Sequence, residues 1–85
     1  MEIRVDHIKS ESKFRIFFNE NDAGYLTYMI SNGTLDIQHT VVRPQFRGQG
    51  LGKVLVDHAI DYAKEGGLTI IPSCSYAERI IGSTV

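Results

Sequence analysis

One junction limits what this chain can fold into. From Val41 to Lys53 the sequence reads Val-Val-Arg-Pro-Gln-Phe-Arg-Gly-Gln-Gly-Leu-Gly-Lys. A β-type run enters it and a run of helical period leaves it, with Gly48, Gly50 and Gly52 between them. Glycine lets a backbone take positive φ and approach a neighbour with no Cβ in the way. The first N–H groups of the following helix have no intrahelical partner and lie at the positive end of its dipole. A strand, a glycine turn and a helix in this order make an anion site suited to phosphate. The helix must then return to the sheet, and a short apolar run, Leu68 to Ile71, is there to receive it. Such a crossover is parallel and right-handed.

Upstream the period is two. Ile3 and Val5 alternate with charged residues and suggest a first strand. Lys9-Ser10-Glu11-Ser12 reads as a turn, and Phe14, Ile16 and Phe18 share one face of a second strand. Asn19-Glu20-Asn21-Asp22 is turn chemistry, Tyr25 to Ile30 a third strand, and Asn32-Gly33 a tight hairpin. Thr34 to Val42 is the fourth strand, with Leu35, Ile37, His39 and Val41 on one face and Thr34, Asp36, Gln38 and Thr40 on the other. Short turns make these four an antiparallel meander. Beyond Pro44, residues Leu51, Val54, Leu55, His58, Ala59, Tyr62 and Ala63 recur at helical spacing. The helix spans about 14 residues, roughly 21 Å, and Gly66-Gly67 caps its end. Ser75-Tyr76-Ala77-Glu78 has capping-box spacing and opens a last short helix that stops near Gly82. The order is ββββαβα. The class is α+β: a mixed five-stranded sheet, antiparallel over the first four strands and parallel from the fourth to the fifth, as one domain over residues 1–85.

With 85 residues there is room for one small core. Contents of 42% hydrophobic and 22% charged residues are those of a globular domain rather than a disordered one. A net charge of −1 argues against a general nucleic-acid binder. Arg43, Arg47 and Lys53 are a local basic group around the glycines. Cys74 is the single cysteine, so no disulfide closes within the chain. No apolar run reaches the roughly 18 residues of a membrane span, and the charged start Met1-Glu2-Ile3-Arg4 is unlike a signal peptide. The expectation is a cytoplasmic protein, monomer or weak dimer, without nucleic-acid or membrane partners. The histidines are scattered and show no ligand spacing with the cysteine, so no metal is expected.

The glycine spacing is not that of a Walker loop, and one parallel crossover is too little for a Rossmann unit. Arg47-Gly48-Gln49-Gly50-Leu51-Gly52 instead resembles the Arg/Gln-x-x-Gly-x-Gly/Ala motif of the GNAT superfamily of acyl-CoA-dependent N-acetyltransferases, placed as there between a long strand and an amphipathic helix. Asp36-Ile37-Gln38-His39-Thr40 before the loop, with Ile71-Pro72-Ser73-Cys74-Ser75-Tyr76 after it, is similar to the small Yjdj-type GNAT-like subfamily. Those are single-domain proteins without the helices usually found between the first two strands. The resemblance is good from Gly24 to Tyr76, loose before that, and lost over residues 77–85, which leaves the acceptor side open.

The resemblance implies acetyl-CoA as acetyl donor and an amine on a small molecule or peptide as acceptor. It implies that amides of Arg47, Gly48, Gln49, Gly50, Leu51, Gly52 and Lys53 cradle the pyrophosphate. Val41 and Val42 would bond the pantetheine arm through their main chain, between splayed fourth and fifth strands, with Arg43 or Lys53 facing the ribose phosphate. Acetyl transfer needs a neutral amine, a polarised carbonyl and a proton for the departing thiolate. By resemblance Tyr76 is the acid, and Cys74 lies beside the thioester, able to accept the acetyl group with His39 as base. Taken as residues alone, each has a structural use as well. Tyr76 fits as packing under the last helix, Cys74 as a small buried hydrophobe, and His39 as a core histidine bonded to a carbonyl. His7 and His58 read as structural. Three functions remain: an N-acetyltransferase, a non-catalytic acetyl-CoA-binding sensor or adaptor, and a domain whose glycines serve only the turn.

Overall fold

The computed structural model describes residues 2–83; Met1, Thr84 and Val85 lie outside them. Strands β1 (Ile3–Ile8), β2 (Lys13–Phe18), β3 (Asn21–Ser31) and β4 (Thr34–Val42) precede helix α1 (Leu51–Glu65), strand β5 (Thr69–Pro72) and helix α2 (Ser75–Ser83). The sheet order is β1-β2-β3-β4-β5, antiparallel through β4 and parallel between β4 and β5. This is the α+β arrangement that the periodicities predict. The β2–β3 turn is tighter than expected. Asn19 and Glu20 alone make it, both at positive φ (49° and 69°), and Asn21 already belongs to β3.

Helix α1 buries Leu51, Leu55, Val56, Ala59 and Ala63 on Phe14, Ile16, Leu26, Tyr28, Leu35 and Ile37 of the sheet. Ala77 of α2 joins the same cluster, so both helices lie on one face of the sheet. The other face is open to solvent, where Met29, Val41 and Ile71 are about half exposed. Helix α1 ends as the paired glycines predict. Gly67 takes positive φ (68°), its N–H reaches Lys64 O at 3.2 Å, and Leu68 N–H reaches Ala63 O at 2.7 Å, the two bonds of a Schellman cap. His58 departs from the expected apolar stripe: it is exposed, and its Nδ1 donates to Val54 O at 2.9 Å.

An irregularity in β4 sets up the site. Thr27 faces His39 while Tyr28 faces Ile37, so Gln38 is an extra residue opposite β3. A β-bulge shifts the alternation of every residue beyond it. Leu35 and Ile37 point to the core, but the core-side residues after the bulge are Thr40 and Val42. His39 and Val41 turn to the open face instead, and His39 is exposed. Strict alternation therefore misplaces His39, which is no core histidine. The parallel ladder with β5 runs only from Thr34↔Thr69 to Ile37↔Pro72 and stops at the bulge. Across β4, a Cβ on Gly24 would collide with the carbonyl oxygen of Val41. The two backbones meet here at a distance that only glycine permits.

At the opposite end of the sheet His7 stacks on Phe14 (ring centroids 4.1 Å apart), meets the edge of Tyr62 and shares a 2.6 Å hydrogen bond with Tyr28 Oη. Burial, and secondarily the nearby Lys9 ammonium, hold the His7 pKa below its ordinary value of 6.5. The unfolded chain therefore takes up the proton first. The His7 contribution is complete above the unfolded value of 6.5 and is lost as pH falls through it toward the lower folded value. Urea midpoints across this window are expected to fall more steeply for the native chain than for His7→Gln. Equal slopes would show that His7 is not the titrating group. Gly24→Ala is expected to lower unfolding free energy by about 1–3 kcal/mol through overpacking against β4, read from urea denaturation.

Candidate functional site

The loop after β4 begins with Pro44–Phe46, one turn of 3-10 helix closed by Phe46 N–H to Arg43 O (2.9 Å) and Arg47 N–H to Pro44 O (3.3 Å). Arg43 N–H bonds Ala23 O at 2.8 Å, and the Phe46 ring packs on Phe18, 5.8 Å between centroids. These contacts fix the start of the loop. Gly48 and Gly50 then take positive φ (85° and 75°), with open space where a Cβ would stand. Gly50 O accepts the first bond of α1, from Val54 N–H at 3.2 Å. Among the described residues, the N–H groups of Gly48, Gln49, Gly50, Leu51, Gly52 and Lys53 donate to no acceptor. They lie in sequence at the positive end of α1.

The unengaged loop adjoins an open cavity of about 410 Å³. Of the cofactor residues named from the sequence, Val41, Val42, Arg47, Gly48, Gly50, Leu51 and Gly52 line it, while Arg43, Gln49 and Lys53 do not. Arg47 Nε reaches back to Val42 O at 3.4 Å. Arg43 pairs with Asp22 at 3.4 Å, sharing that carboxylate with Arg15 at 2.8 Å, and Lys53 pairs with Asp57 at 3.0 Å. Exposed pairs of this kind are worth about 0–1 kcal/mol, so an arriving anion can draw either cation away. Gly52 has a different task from its neighbours. A Cβ there would run into the ring and hydroxyl of Tyr76, so the third glycine admits a side chain of α2 rather than a ligand.

Cys74 sits where β5 has left the sheet. Its N–H bonds Ile37 O at 3.0 Å, and its own carbonyl accepts Glu78 N–H at 2.9 Å as the first bond of α2. Cys74, not Ser75, is therefore the N-cap residue, one place ahead of the expected capping box. Burial alone would raise the thiol pKa. The N–H groups of Ala77 and Tyr76, with the hydroxyl and N–H of Thr40, outweigh that and lower it. A cap residue offers its side chain to these same helix amides, and here the acceptor is sulfur. Thr40 Oγ1 is buried with no fully formed hydrogen bond and faces this thiol, where its hydroxyl favours the anionic form of the sulfur. Sequence alternation put Thr40 on the other face. The one available signal was Gly24, since an isolated glycine in a strand marks a bulge or a close backbone approach.

Cys74, Thr40 and Tyr76 thus meet at the cavity, two of them lining it. His39 does not join them: it lies across β4 on the open face, with no hydrogen bond to Cys74. Among the described residues no group of His, Cys, Asp and Glu is arranged to hold a metal.

Comparison with known proteins agrees with this geometry. The family model described as GCN5-related N-acetyl-transferase matches residues 13–84. Protein NATD1 of Xenopus tropicalis is 33% identical over 81 residues, 93% of this chain and 74% of that one. A GCN5-like protein of Staphylococcus aureus, solved by NMR, is 32% identical and superposes with a TM-score of 0.74 over 95% of this chain and 79% of its own. A Bacillus anthracis acetyltransferase solved in complex with acetyl coenzyme A shares the fold alone, with 21% identity and a TM-score of 0.67 over 85% of this chain and 44% of that one.

Because the thiolate is the reactive form, Cys74 is expected to be alkylated by iodoacetamide with a midpoint below that of free cysteine. Thr40→Val should move the midpoint upward. A native midpoint at or above the free-thiol value would contradict the capped arrangement.

Proposed function

From the premise that the chain belongs to the GCN5-related N-acetyltransferase family, we propose that it takes acetyl-CoA as donor and moves the acetyl group to an amine. The observation that carries this reading is the run of unengaged N–H groups from Gly48 to Lys53 beside the cavity. A diphosphate supplies acceptor oxygens to such a run, and the absent Cβ atoms of Gly48 and Gly50 leave room for it. Arg47 lines the same wall and adds charge. The pantetheine arm then lies along Val41 and Val42 and brings the thioester toward Thr40 and Cys74, where the β4–β5 ladder has ended.

A sulfur held by helix amides favours a relay through Cys74. The Cys74 thiolate attacks the thioester carbonyl. A bond forms from Cys74 Sγ to the acetyl carbon, and the bond to the coenzyme A sulfur breaks. The departing thiolate takes its proton from Tyr76 Oη, whose ring is fixed against Gly52 and which regains a proton from solvent. The amine next attacks acetyl-Cys74. The new N–C bond forms as the S–C bond breaks, His39 on the open face takes the amine proton, and the thiolate returns to its cap. Cys74 has no cysteine partner in the chain and stays a thiol in a reducing cytoplasm.

The lack of a hydrogen bond between His39 and Cys74 favours a second reading, an acetyl-CoA-binding sensor or adaptor without turnover. Labelled acetyl-CoA separates the two. For the transferase, mass spectrometry shows one acetyl group on Cys74, and added amine discharges it over many turnovers. His39→Ala is expected to slow the discharge by about 10²-fold, at the low end for a lost general base. Saturable binding with no labelled amine from a broad panel would select the sensor. Labelled amine from Cys74→Ala at the native rate would reject the relay.

A further inference from the structure

Asp36 is a carboxylate that the proposed chemistry does not use. It lies on the open face of β4, paired across the sheet with Met29 of β3 on one side and Ile71 of β5 on the other. Its Oδ1 is buried and has no hydrogen-bond partner in the protein. Buried carboxylate oxygens are rarely left so, and each one needs a reason. Among the described residues no salt bridge reaches Asp36, whereas Arg4 is held by Asp6, Lys13 by Glu11, Arg15 and Arg43 by Asp22, and Lys53 by Asp57. A shallow cavity of about 280 Å³ opens at this point, lined by Met29, Ser31, Asn32, Thr34, Asp36 and Ile71. Met29 and Ile71 are 54% and 47% exposed, large apolar side chains standing free on either side of a carboxylate.

That pattern matches a primary ammonium on an alkyl stem. The methylenes lie between Met29 and Ile71, and the nitrogen donates to Asp36 in a charge-assisted bond. A bare peptide amide would leave the apolar walls unused. The slot is also close to the reaction. Asp36 on the open face and Thr40 on the core side are three register steps apart along β4, Met29 to Leu26 on the partner strand, and the β4–β5 gap connects the two faces. At about 3.3 Å per residue the separation is about 10 Å. The parallel ladder ends one pair beyond Asp36, at Ile37↔Pro72, so the slot adjoins the gap that leads to Cys74.

We infer that the acceptor is a dication: one amine enters the β4–β5 gap to be acetylated, and a second ammonium, about 10 Å away, rests on Asp36. This rests on the transferase reading for the first amine. The site on Asp36 is testable without it. The shared chemistry is an alkylammonium, carried by a free diamine or by a lysine side chain of a peptide.

The test is an amide-resolved NMR titration of the whole chain with cadaverine, in the absence of coenzyme A. Saturable shifts are expected at Met29, Thr34, Asp36 and Ile71, weakening as salt rises. Asp36→Asn should weaken binding about tenfold or more. Ile71→Lys, which places a cation opposite Asp36, should do the same and guards against a folding defect in the first variant. In turnover, 1,7-diaminoheptane, whose extended chain is long enough to join the two positions, should exceed heptylamine in kcat/KM by about tenfold, and Asp36→Asn should collapse that ratio through KM. A capped lysine peptide that shifts the same amides more strongly than cadaverine identifies the peptide source for the same site. Cadaverine shifts that survive both variants unchanged, or that fall elsewhere, overturn the proposal. A failure to bind acetyl-CoA would instead remove the transferase reading and leave the amine titration intact.

Discussion

Ile37, the residue before the inserted Gln38, accepts at its carbonyl from the N–H of Cys74 at 3.0 Å, two residues beyond its register partner Pro72. Up to that bond β4 belongs to the sheet. After it β4 is turned over by a bulge and no longer pairs with β5, so the chain leaving β5 can carry a thiol into the gap. Thr40 comes to the thiol side because of the extra residue, and His39 goes to the other side for the same reason. Without the bulge, Thr40 would face solvent and His39 the core, and the cysteine would lose two of the groups that favour its anion.

Two helix N-termini meet at this gap and are used in opposite ways. The amides opening α2 act on the sulfur of Cys74, the residue at the cap, and favour its anion. Those opening α1 are unoccupied from Gly48 to Lys53. Tyr76 ties the two together by lying on Gly52 of α1 from its place in α2. The three glycines therefore divide the work. Gly48 and Gly50 supply backbone angles that other residues resist, and Gly52 supplies room for an aromatic ring. One helix end is left for a diphosphate and the other polarises a thiol, with a cavity of about 410 Å³ beside them.

Much of this could be read from residue order. The span of β4 from Thr34 to Val42, the glycine end of α1 and the first residue of α2 follow from alternation, helical period and capping chemistry, and the structure reproduces them. Those signals are local, carried by neighbours within four or five residues. The bulge at Gln38 is not local, because it depends on how β3 at Gly24 meets β4 at Val42, and that pairing is set by the whole meander. The faces of His39 and Thr40 were misjudged for that reason. The cap was displaced from Ser75 to Cys74 because sulfur is an uncommon cap acceptor and a serine stood next to it. The open Oδ1 of Asp36 is invisible in sequence, since pairing depends on where side chains distant in the chain come to lie, as when Asp22 takes Arg15 and Arg43 and Asp57 takes Lys53.

The account depends on main-chain nitrogens at the start of α1 that wait for an anion. Its most direct test is amide-resolved NMR of the chain with coenzyme A, compared with the same titration using pantetheine, which lacks the diphosphate. The account predicts micromolar binding, about −8 kcal/mol, for coenzyme A. The largest shifts should fall from Gly48 to Lys53, and pantetheine should leave those amides unmoved. Shifts from coenzyme A that avoid this segment, or equal binding by pantetheine, would contradict it.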